Sequence, residues 1–214
     1  MYIPPLFREQ DSAVLHSFIR QARLATLISN GRDGLPDVSY LPLIFDADDG
    51  ENGSLLGHLA RGNTHWKSLS AVPSAIAIFM GADAYVSPTW YPTKQVHHKH
   101  VPTWNYETVH AVCNVEIFDD RDRLLNAVTR LTKRQEDHRA DPWTVDQAPP
   151  DYLEAQLRGI VGIKLEITEL RGKRKMSQNR DAEDRKNVRE VLAASPDVLD
   201  QAVAASMLQL QVKC

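Results

Sequence analysis

The chain has 214 residues, and 43% hydrophobic and 25% charged residues are typical of a globular protein with a substantial core. That length predicts one domain, or one domain with appendages. The formal net charge of -3 argues against a large basic face, and therefore against non-specific nucleic-acid binding. Cys113 and Cys214 are the two cysteines, which excludes a disulfide framework and, by themselves, a zinc site.

The amino terminus has neither the basic start nor the apolar core of a signal peptide. The apolar run at residues 75–80 is far too short to span a bilayer. We therefore expect a reduced, cytoplasmic location and no membrane partner.

The first half of the chain predicts one helix and several short strands. Residues 11–21 have the apolar spacing of a short helix, and residues 24–29 and 36–45 that of strands separated by a turn at 30–34. Residues 46–53 are polar and resemble a calcium loop only loosely, so they are interpreted as a solvated hairpin tip. Further strands are predicted at 54–59, 74–80, 84–87 and 108–118. Strand–turn–strand units without long crossover helices indicate antiparallel pairing, hence a barrel or sandwich.

The second half predicts mainly helices. An amphipathic helix is expected over Arg121–Glu136, a short helix over 151–157 and a half-buried strand over 163–168. Two helical segments follow at 181–193 and 196–210. We expect one domain over residues 1–214, with a helical extension at about 181–214.

Residues 57–66 combine an apolar strand, a polar and basic turn, and a helix that begins near Trp66. The turn carries Arg61, Asn63 and His65. Free N–H groups of a first helical turn favour an anion, and Arg61 offers a planar fork of donors suited to phosphate. The alternative is an ordinary capped turn with a solvated arginine, and this segment alone does not decide between the two.

Three more polar and aromatic clusters lie at residues 87–94, 101–110 and 175–180. Trp104 and Tyr106 are suited to form a flat wall for a planar ligand, while Asn105 with Gln178 or Asn179 would hydrogen-bond its edge. The alternatives are aromatic residues that belong to the core, and a solvated turn that leads into a helix.

His97, His98 and His100 crowd one loop, and histidine clusters bind metal or haem iron. No cysteine lies nearby, and no carboxylate follows these histidines before Glu107, so we predict no native metal site. The sequence has no Gly-rich phosphate loop and no nucleophile elbow. No catalytic residue is assigned, and a bound cofactor is expected to carry any chemistry.

Taken together, the clusters resemble the PaiB-type family, described as FMN-binding negative transcriptional regulators. The resemblance runs from residue 1 to at least Arg185, with Gly-His-Leu-Ala-Arg at 57–61 and Ser-Gln-Asn-Arg at 177–180. The matching blocks are residues 1–7, 41–43, 57–61, 63, 65–66, 83–85, 87–88, 90–91, 101–106, 109–110, 177–180 and 184–185. The resemblance implies a mainly β, α+β protein: an antiparallel split β-barrel with peripheral helices, related to flavin reductases and pyridoxamine-phosphate oxidases. It also implies FMN as cofactor and a homodimer with flavin near the subunit interface.

By this resemblance, the strand and turn at residues 58–65 meet the FMN phosphate. The residues expected to bind the cofactor are His58, Arg61, Asn63, His65, Lys94, Trp104, Asn105, Gln178, Asn179 and Arg180. Tyr40 stands where the family pattern has histidine, and Arg174 where it has an aromatic residue. These departures bear on the edge of the flavin or substrate site more than on the fold.

Three functions follow from these observations. The first is an FMN-binding negative transcriptional regulator that acts directly or indirectly. The second is a flavin-dependent oxidoreductase acting on a small molecule, and the third is a haem-binding or haem-degrading split barrel, suggested by 8 histidines. DNA as a partner has little support, because no helix-turn-helix is evident and the cations of residues 121–139 are interpreted as a solvated face.

Overall fold

The computed structural model describes residues 1–31 and 34–210, apart from the side chains of Gln95 and His97. The strands are β1 (Arg8–Glu9), β2 (Ala25–Asn30), β3 (Pro36–Leu41), β4 (Ile44–Asp46), β5 (Ser54–Ala60), β6 (Ser74–Val86), β7 (Thr103–Phe118) and β8 (Ile160–Lys175). The helices are α1 (Ser12–Gln21), α2 (His65–Ala71), α3 (Lys94–His97), α4 (Arg121–Glu136), α5 (Pro150–Arg158), α6 (Ala182–Ala193) and α7 (Val198–Gln209). No described helix has the length and apolarity that a bilayer crossing needs.

The strands form one sheet in the order β3-β2-β6-β7-β8-β5-β4, and β1 pairs with β8. The pairings of β2 with β3 and β6, of β5 with β4 and β8, and of β1 with β8 are antiparallel. The polar segment at 46–53 joins β4 to β5, where Asp46 pairs with Ser54. The predicted antiparallel, mainly β fold and the predicted hairpin tip are therefore confirmed. Of the predicted turn at 30–34, Arg32 and Asp33 lie outside the described residues, as does Cys214.

Several predicted strand boundaries are wrong. The strand expected over 36–45 is two strands that break at Pro42, since proline has no N–H to give to a ladder. The strands expected at 74–80 and 84–87 are one continuous β6, which lies between β2 and β7 in the sheet. β7 begins at Thr103 and β8 extends to Lys175, so two of the polar clusters lie partly within regular strands. Pairing with neighbouring strands of the sheet can hold a segment extended where its local propensity is weak.

The chain divides into two compact units. Unit 1 comprises Met1–Leu15, Met80–Val109 and Arg171–Cys214, and unit 2 comprises His16–Phe79 and His110–Leu170. The expectation of one domain with a helical extension stays a prediction.

In unit 1, the core joins the two last helices to the sheet. Val188 and Leu192, one turn apart on α6, pack with Val203 of α7, Val86 of β6 and Tyr91. This i, i+4 spacing places both apolar side chains of α6 on one face.

In unit 2, the predicted helix Arg121–Glu136 is confirmed as α4. The Asp120 side chain caps it by accepting a hydrogen bond from Arg123 N at 2.9 Å. Leu124 packs with Phe118 and Leu157 beneath the helix.

We expect Gly162→Ala to destabilise the protein. A Cβ atom on Gly162 of β8 would lie 2.2 Å from the Phe118 ring, which is buried. Overpacking of this kind costs about 1–3 kcal/mol of unfolding free energy, measurable by urea denaturation. Gly62→Ala is the matched control, because its Cβ would meet nothing within 4 Å. Equal stabilities for the two variants would contradict the packing described for Phe118.

Candidate functional site

The residues predicted to bind the cofactor fall into two groups. His58, Arg61, Asn63 and His65 lie in unit 2, at the end of β5 and the start of α2. The other six, which lie in unit 1, are Lys94, Trp104, Asn105, Gln178, Asn179 and Arg180. In each group, several of these side chains are hydrogen-bonded to other residues of the same unit.

The segment between β5 and α2, residues 61–64, is here called the Arg61 turn. Arg61 Nε donates to the Arg158 carbonyl at 2.9 Å and Nη2 to the Ile160 carbonyl at 3.0 Å. Its backbone N–H donates to the Gly159 carbonyl at 2.8 Å, and Trp66 Nε1 donates to the Arg61 carbonyl at 3.0 Å. The turn is thus fixed to the start of β8, while Arg61 Nη1 has no acceptor within the described residues.

His65 is buried, with 3% of its surface exposed, and both of its ring nitrogens are occupied. Nδ1 lies 2.8 Å from Ser39 Oγ and Nε2 lies 3.0 Å from Ser29 Oγ. Asn63 completes the cluster: its Nδ2 donates to Ser39 Oγ at 2.9 Å and its Oδ1 accepts from the backbone N–H of His65 at 3.1 Å. Burial lowers the pKa of His65, against a smaller opposing effect of Asp37. His65 is therefore a neutral brace that leaves no ring nitrogen for a phosphate.

Exposed side chains of this region include Arg61, Asn63, Thr64 and Lys67, of which Asn63 is already bonded to Ser39 and His65. Lys67 Nζ lies 5.6 Å from the centre of the Trp66 ring, and it forms no ion pair within the described part of the chain. The sequence analysis missed Lys67, although a cation in the first turn of a helix that follows a basic turn is a recognisable signal. Two exposed cations, a hydroxyl and the open space beside Gly62 fit a flavin phosphate. The seven-residue α2 adds little as a dipole, and Asn63 already takes the N–H of His65.

His58 lies on β5 opposite Gly162 of β8. Its Nδ1 is buried and has no hydrogen-bond partner among the described residues. Burial lowers the pKa of His58, so the ring is neutral near pH 7. Its contact with a cofactor stays a prediction.

In unit 1, two predicted amides hold the protein's own backbone and side chains. Asn105 is fully buried, and its Nδ2 lies 3.0 Å from Ser177 Oγ. Gln178 Oε1 accepts from the backbone N–H of Met176 at 2.6 Å, while its Nε2 donates to the Arg174 carbonyl at 2.5 Å. Ser177 adopts a positive φ of 62°, and these amide bonds stabilise that conformation.

Arg180 belongs to a second network in unit 1. Its Nη1 lies 3.1 Å from His100 Nδ1, and its guanidinium lies 4.7 Å from the Tyr91 ring centre. His100 Nε2 lies 3.0 Å from Thr93 Oγ1, which donates to Asp184 Oδ2 at 2.7 Å. Both ring nitrogens of His100 are therefore engaged within the protein.

The three-histidine segment does not form a preorganised ligand set. His98 is exposed with a left-handed φ of 50°, and the side chain of His97 lies outside the described residues. No group of three or more His, Cys, Asp or Glu side chains suited to a metal ion occurs in the described chain.

Trp104, Lys94 and Asn179 are the remaining predicted residues. Trp104 is 53% exposed and meets the Tyr85 ring edge-on at 6.1 Å, which suits a wall for a planar ligand. Asn179 is exposed, and Lys94 is half-buried at the first position of α3.

The two departures from the family pattern have different surroundings. Arg174 is buried, and its Nε meets Glu107 Oε2 at 2.5 Å while Nη2 donates to Ser206 Oγ at 2.9 Å. Its Nη1 lies 3.5 Å from Glu9 Oε2. Tyr40 on β3 is 72% exposed. Arg174 is thus a buried brace of unit 1, held by protein groups on three elements.

We expect His65→Gln to lower the unfolding free energy by about 1–3 kcal/mol, because it leaves buried serine hydroxyls without good partners. It should also weaken the acid sensitivity of the fold. A buried histidine with a lowered pKa stabilises the folded state fully above its ordinary value of 6.5 and loses that contribution as pH falls towards the folded-state pKa.

Urea unfolding above and below pH 6.5 measures both effects. His138→Gln, at an exposed histidine of the same unit, is the control and should leave stability unchanged. Wild-type stability of His65→Gln would contradict the role of His65 in holding the turn through Ser29 and Ser39.

Comparison with known proteins identifies the family to which the chain belongs. Residues 1–169 match the family described as "Putative FMN-binding domain". Protease synthase and sporulation protein PAI 2 of Bacillus subtilis (strain 168) is 33% identical over 192 residues, covering 90% of this chain and 89% of that protein. The uncharacterised protein YKL070W of Saccharomyces cerevisiae is 34% identical over 160 residues, covering 66% of this chain and 94% of that protein.

Two solved structures share the fold. The flavocytochrome Anf3 of Azotobacter vinelandii has a TM-score of 0.61 at 14% identity, covering 83% of this chain and 74% of that one. The FAD and heme binding protein of Mycobacterium smegmatis has a TM-score of 0.58 at 16% identity, covering 88% and 80%. The architecture is that of an antiparallel split β-barrel with peripheral helices. The chain belongs to the PaiB-type family of FMN-binding split-barrel flavoproteins, and its cofactor is FMN.

Proposed function

We propose that the chain holds FMN by its phosphate at the Arg61 turn and acts as a negative regulator of transcription by an indirect route. The observation that carries the proposal is the pair of exposed cations, Arg61 and Lys67, at an open turn that is fixed from behind. FMN, when bound, supplies reversible electron transfer.

The roles within the turn divide between binding and support. Arg61 Nη1 and the Lys67 ammonium donate to phosphate oxygens, together with the Thr64 hydroxyl. Asn63 and His65 hold the turn through Ser39 and Ser29 instead of contacting the anion. A turn whose donors are already ordered binds phosphate more tightly, because less conformational entropy is lost on binding.

For unit 1 taken by itself, we propose Trp104 as an aromatic wall for a planar ligand, with Lys94, Asn179 and Arg180 as polar contacts. Asn105 and Gln178 support this region from within, since their amides hold the turn around Ser177. A cytoplasmic homodimer completes the proposal. Large apolar side chains that unit 1 leaves exposed support it, namely Tyr2, Tyr85, Val101 and Trp104.

An indirect route is proposed because four arginines of α4 are engaged within the protein, three of them with carboxylates. Arg123 pairs with Glu116 at 2.6 Å, and Arg130 pairs with Asp46 at 3.2 Å. Arg121 pairs with Glu154, and Arg134 Nη1 donates to the Leu43 carbonyl at 2.6 Å. Arg121 and Arg123 are exposed, and Arg130 and Arg134 are half-buried. The interpretation of these cations as a solvated face stays a prediction. Cations engaged in this way are less available to neutralise DNA phosphates and so to release the counterions of the DNA.

A haem-binding function is the second candidate, and a flavin-dependent oxidoreductase the third. The M. smegmatis neighbour is described as binding FAD and heme, and His98 of this chain is exposed. Against haem, the nitrogens of His100 are engaged by Arg180 and Thr93.

We expect Lys67→Gln to weaken FMN binding about tenfold, because one charge-assisted contact to the phosphate is lost. Riboflavin has no phosphate, so its affinity should be unchanged in the same variant. Quenching of flavin fluorescence during titration measures both affinities.

Lys133→Gln, at an exposed lysine on α4 of the same unit, is the matched control and should bind FMN like the wild type. Arg61→Gln should likewise weaken FMN binding more than riboflavin binding. It should also lower the stability of the protein, because Arg61 fixes the turn. Equal losses for FMN and riboflavin would show that the phosphate lies elsewhere.

We expect the FMN-loaded protein to give no sequence-dependent shift of promoter fragments in gel electrophoresis at physiological salt. The physical reason is the internal pairing of the α4 cations. A shift that depends on the DNA sequence would reject the indirect route while leaving FMN binding intact.

A further inference from the structure

Unit 1 contains a cleft that, apart from Gln178, is lined by residues to which the proposed function gives no role. It has a volume of about 240 Å³ and lies between α6, the end of α7 and the turn at residues 176–178. Two of the blocks that resemble the family, at 177–180 and 184–185, each contribute a residue to its lining, Gln178 and Arg185. All of its lining residues belong to unit 1, beyond the 1–169 segment that matches the FMN-binding family.

One side of the cleft is cationic. Arg185 and Arg189 lie one turn apart on the same face of α6, with Lys186 beside them. Lys186 approaches Glu190 only to 3.9 Å, and both of these side chains are largely exposed. Neither Arg185 nor Arg189 has a hydrogen bond or ion pair from its guanidinium within the described part of the chain. No carboxylate is among the described residues that line the cleft, so the two guanidinium groups have no paired anion there.

The other side is apolar and adaptable. Met176 is buried with 1% of its surface exposed, Met207 and Leu210 are partly buried, and Leu208 is 66% exposed. Methionine fills irregular space and suits surfaces that accept more than one ligand shape. Gln178 lies between the two sides, but its amide is already held by Met176 and Arg174 and adds no free donor pair.

We propose that this cleft binds a small amphipathic carboxylate, such as a medium-chain fatty acid. Its carboxylate would accept bidentate hydrogen bonds from Arg185 and Arg189, and its alkyl chain would cover Leu208 and the two methionines. The cleft is smaller than the roughly 300–1,000 Å³ typical of sites for drug-sized ligands, so the ligand is a small one. This inference goes beyond the proposed function and is independent of the Arg61 turn, which lies in unit 2.

Calorimetric titration of the FMN-loaded full chain with octanoate tests the proposal. We expect saturable binding of one octanoate per chain. Acetate has the charge without the chain and octanol has the chain without the charge, so each should bind at least about tenfold more weakly. Non-saturable uptake, or equal binding of octanol and octanoate, would overturn the proposal.

Variants assign the binding to this cleft. Arg185→Gln combined with Arg189→Gln should reduce octanoate binding to the level of octanol, and Leu208→Ser should weaken octanoate but not acetate. Arg158→Gln, an exposed arginine of unit 2, is the matched control and should leave octanoate binding unchanged. Octanoate affinity that survives the double arginine variant would refute the site.

FMN titration of the same variants separates this proposal from the previous one. Flavin affinity should be unchanged when the α6 arginines are replaced, because the Arg61 turn keeps its donors. Thermal unfolding of each variant shows that it is folded, which is expected because Arg185 and Arg189 are only half-buried and have no hydrogen bond or ion pair from their guanidinium groups within the described part of the chain. Loss of FMN and octanoate binding together in a folded variant would contradict two independent sites.

Discussion

The candidate phosphate site depends on one buried side chain, His65. Its two ring nitrogens reach serines on two neighbouring strands, β2 and β3, and Asn63 joins the same network from the turn. Because hydrogen bonds hold the first turn of α2 to the sheet in this way, the backbone of the Arg61 turn is fixed. The exposed cationic side chains therefore start from fixed backbone positions. Each ring nitrogen of His65 faces a serine hydroxyl, and no carboxylate of the described residues bonds to the ring. Burial keeps it neutral by lowering its pKa.

The same division between support and binding recurs in unit 1. The polar residues of the Ser-Gln-Asn-Arg block have separate tasks: Ser177 and Gln178 bond with the interior, while Asn179 stays exposed. Arg174 is a more extreme case, because its guanidinium meets Glu107, Glu9 and Ser206. A buried ion pair of this kind is costly to break by removing one partner, which explains how a charged residue occupies a position where the family pattern has an aromatic one.

The sequence predicted the antiparallel pairing, the α4 helix and the position of the Arg61 turn, because alternation, capping and turn chemistry are local signals. It did not distinguish the residues that we propose to contact the cofactor from the residues that hold the protein's own turns in place. His65 and Asn105 looked like ligands for the cofactor, yet their polar atoms are bonded to serines that are distant in the sequence. Lys67, which we propose as a phosphate contact, was not among the predicted residues although it lies in the first turn of the helix that follows the basic turn. Pairing between distant strands also extended β6, β7 and β8 past their predicted ends, an effect that no local window contains.

The central claim is that the FMN phosphate lies at the Arg61 turn. A crystal structure of the FMN complex tests it most directly. We predict phosphate oxygens within about 3 Å of Arg61 Nη1 and Lys67 Nζ, with the bonds of His65 to Ser29 and Ser39 unchanged. A phosphate held by other residues, with the Arg61 turn left to solvent, would contradict the account.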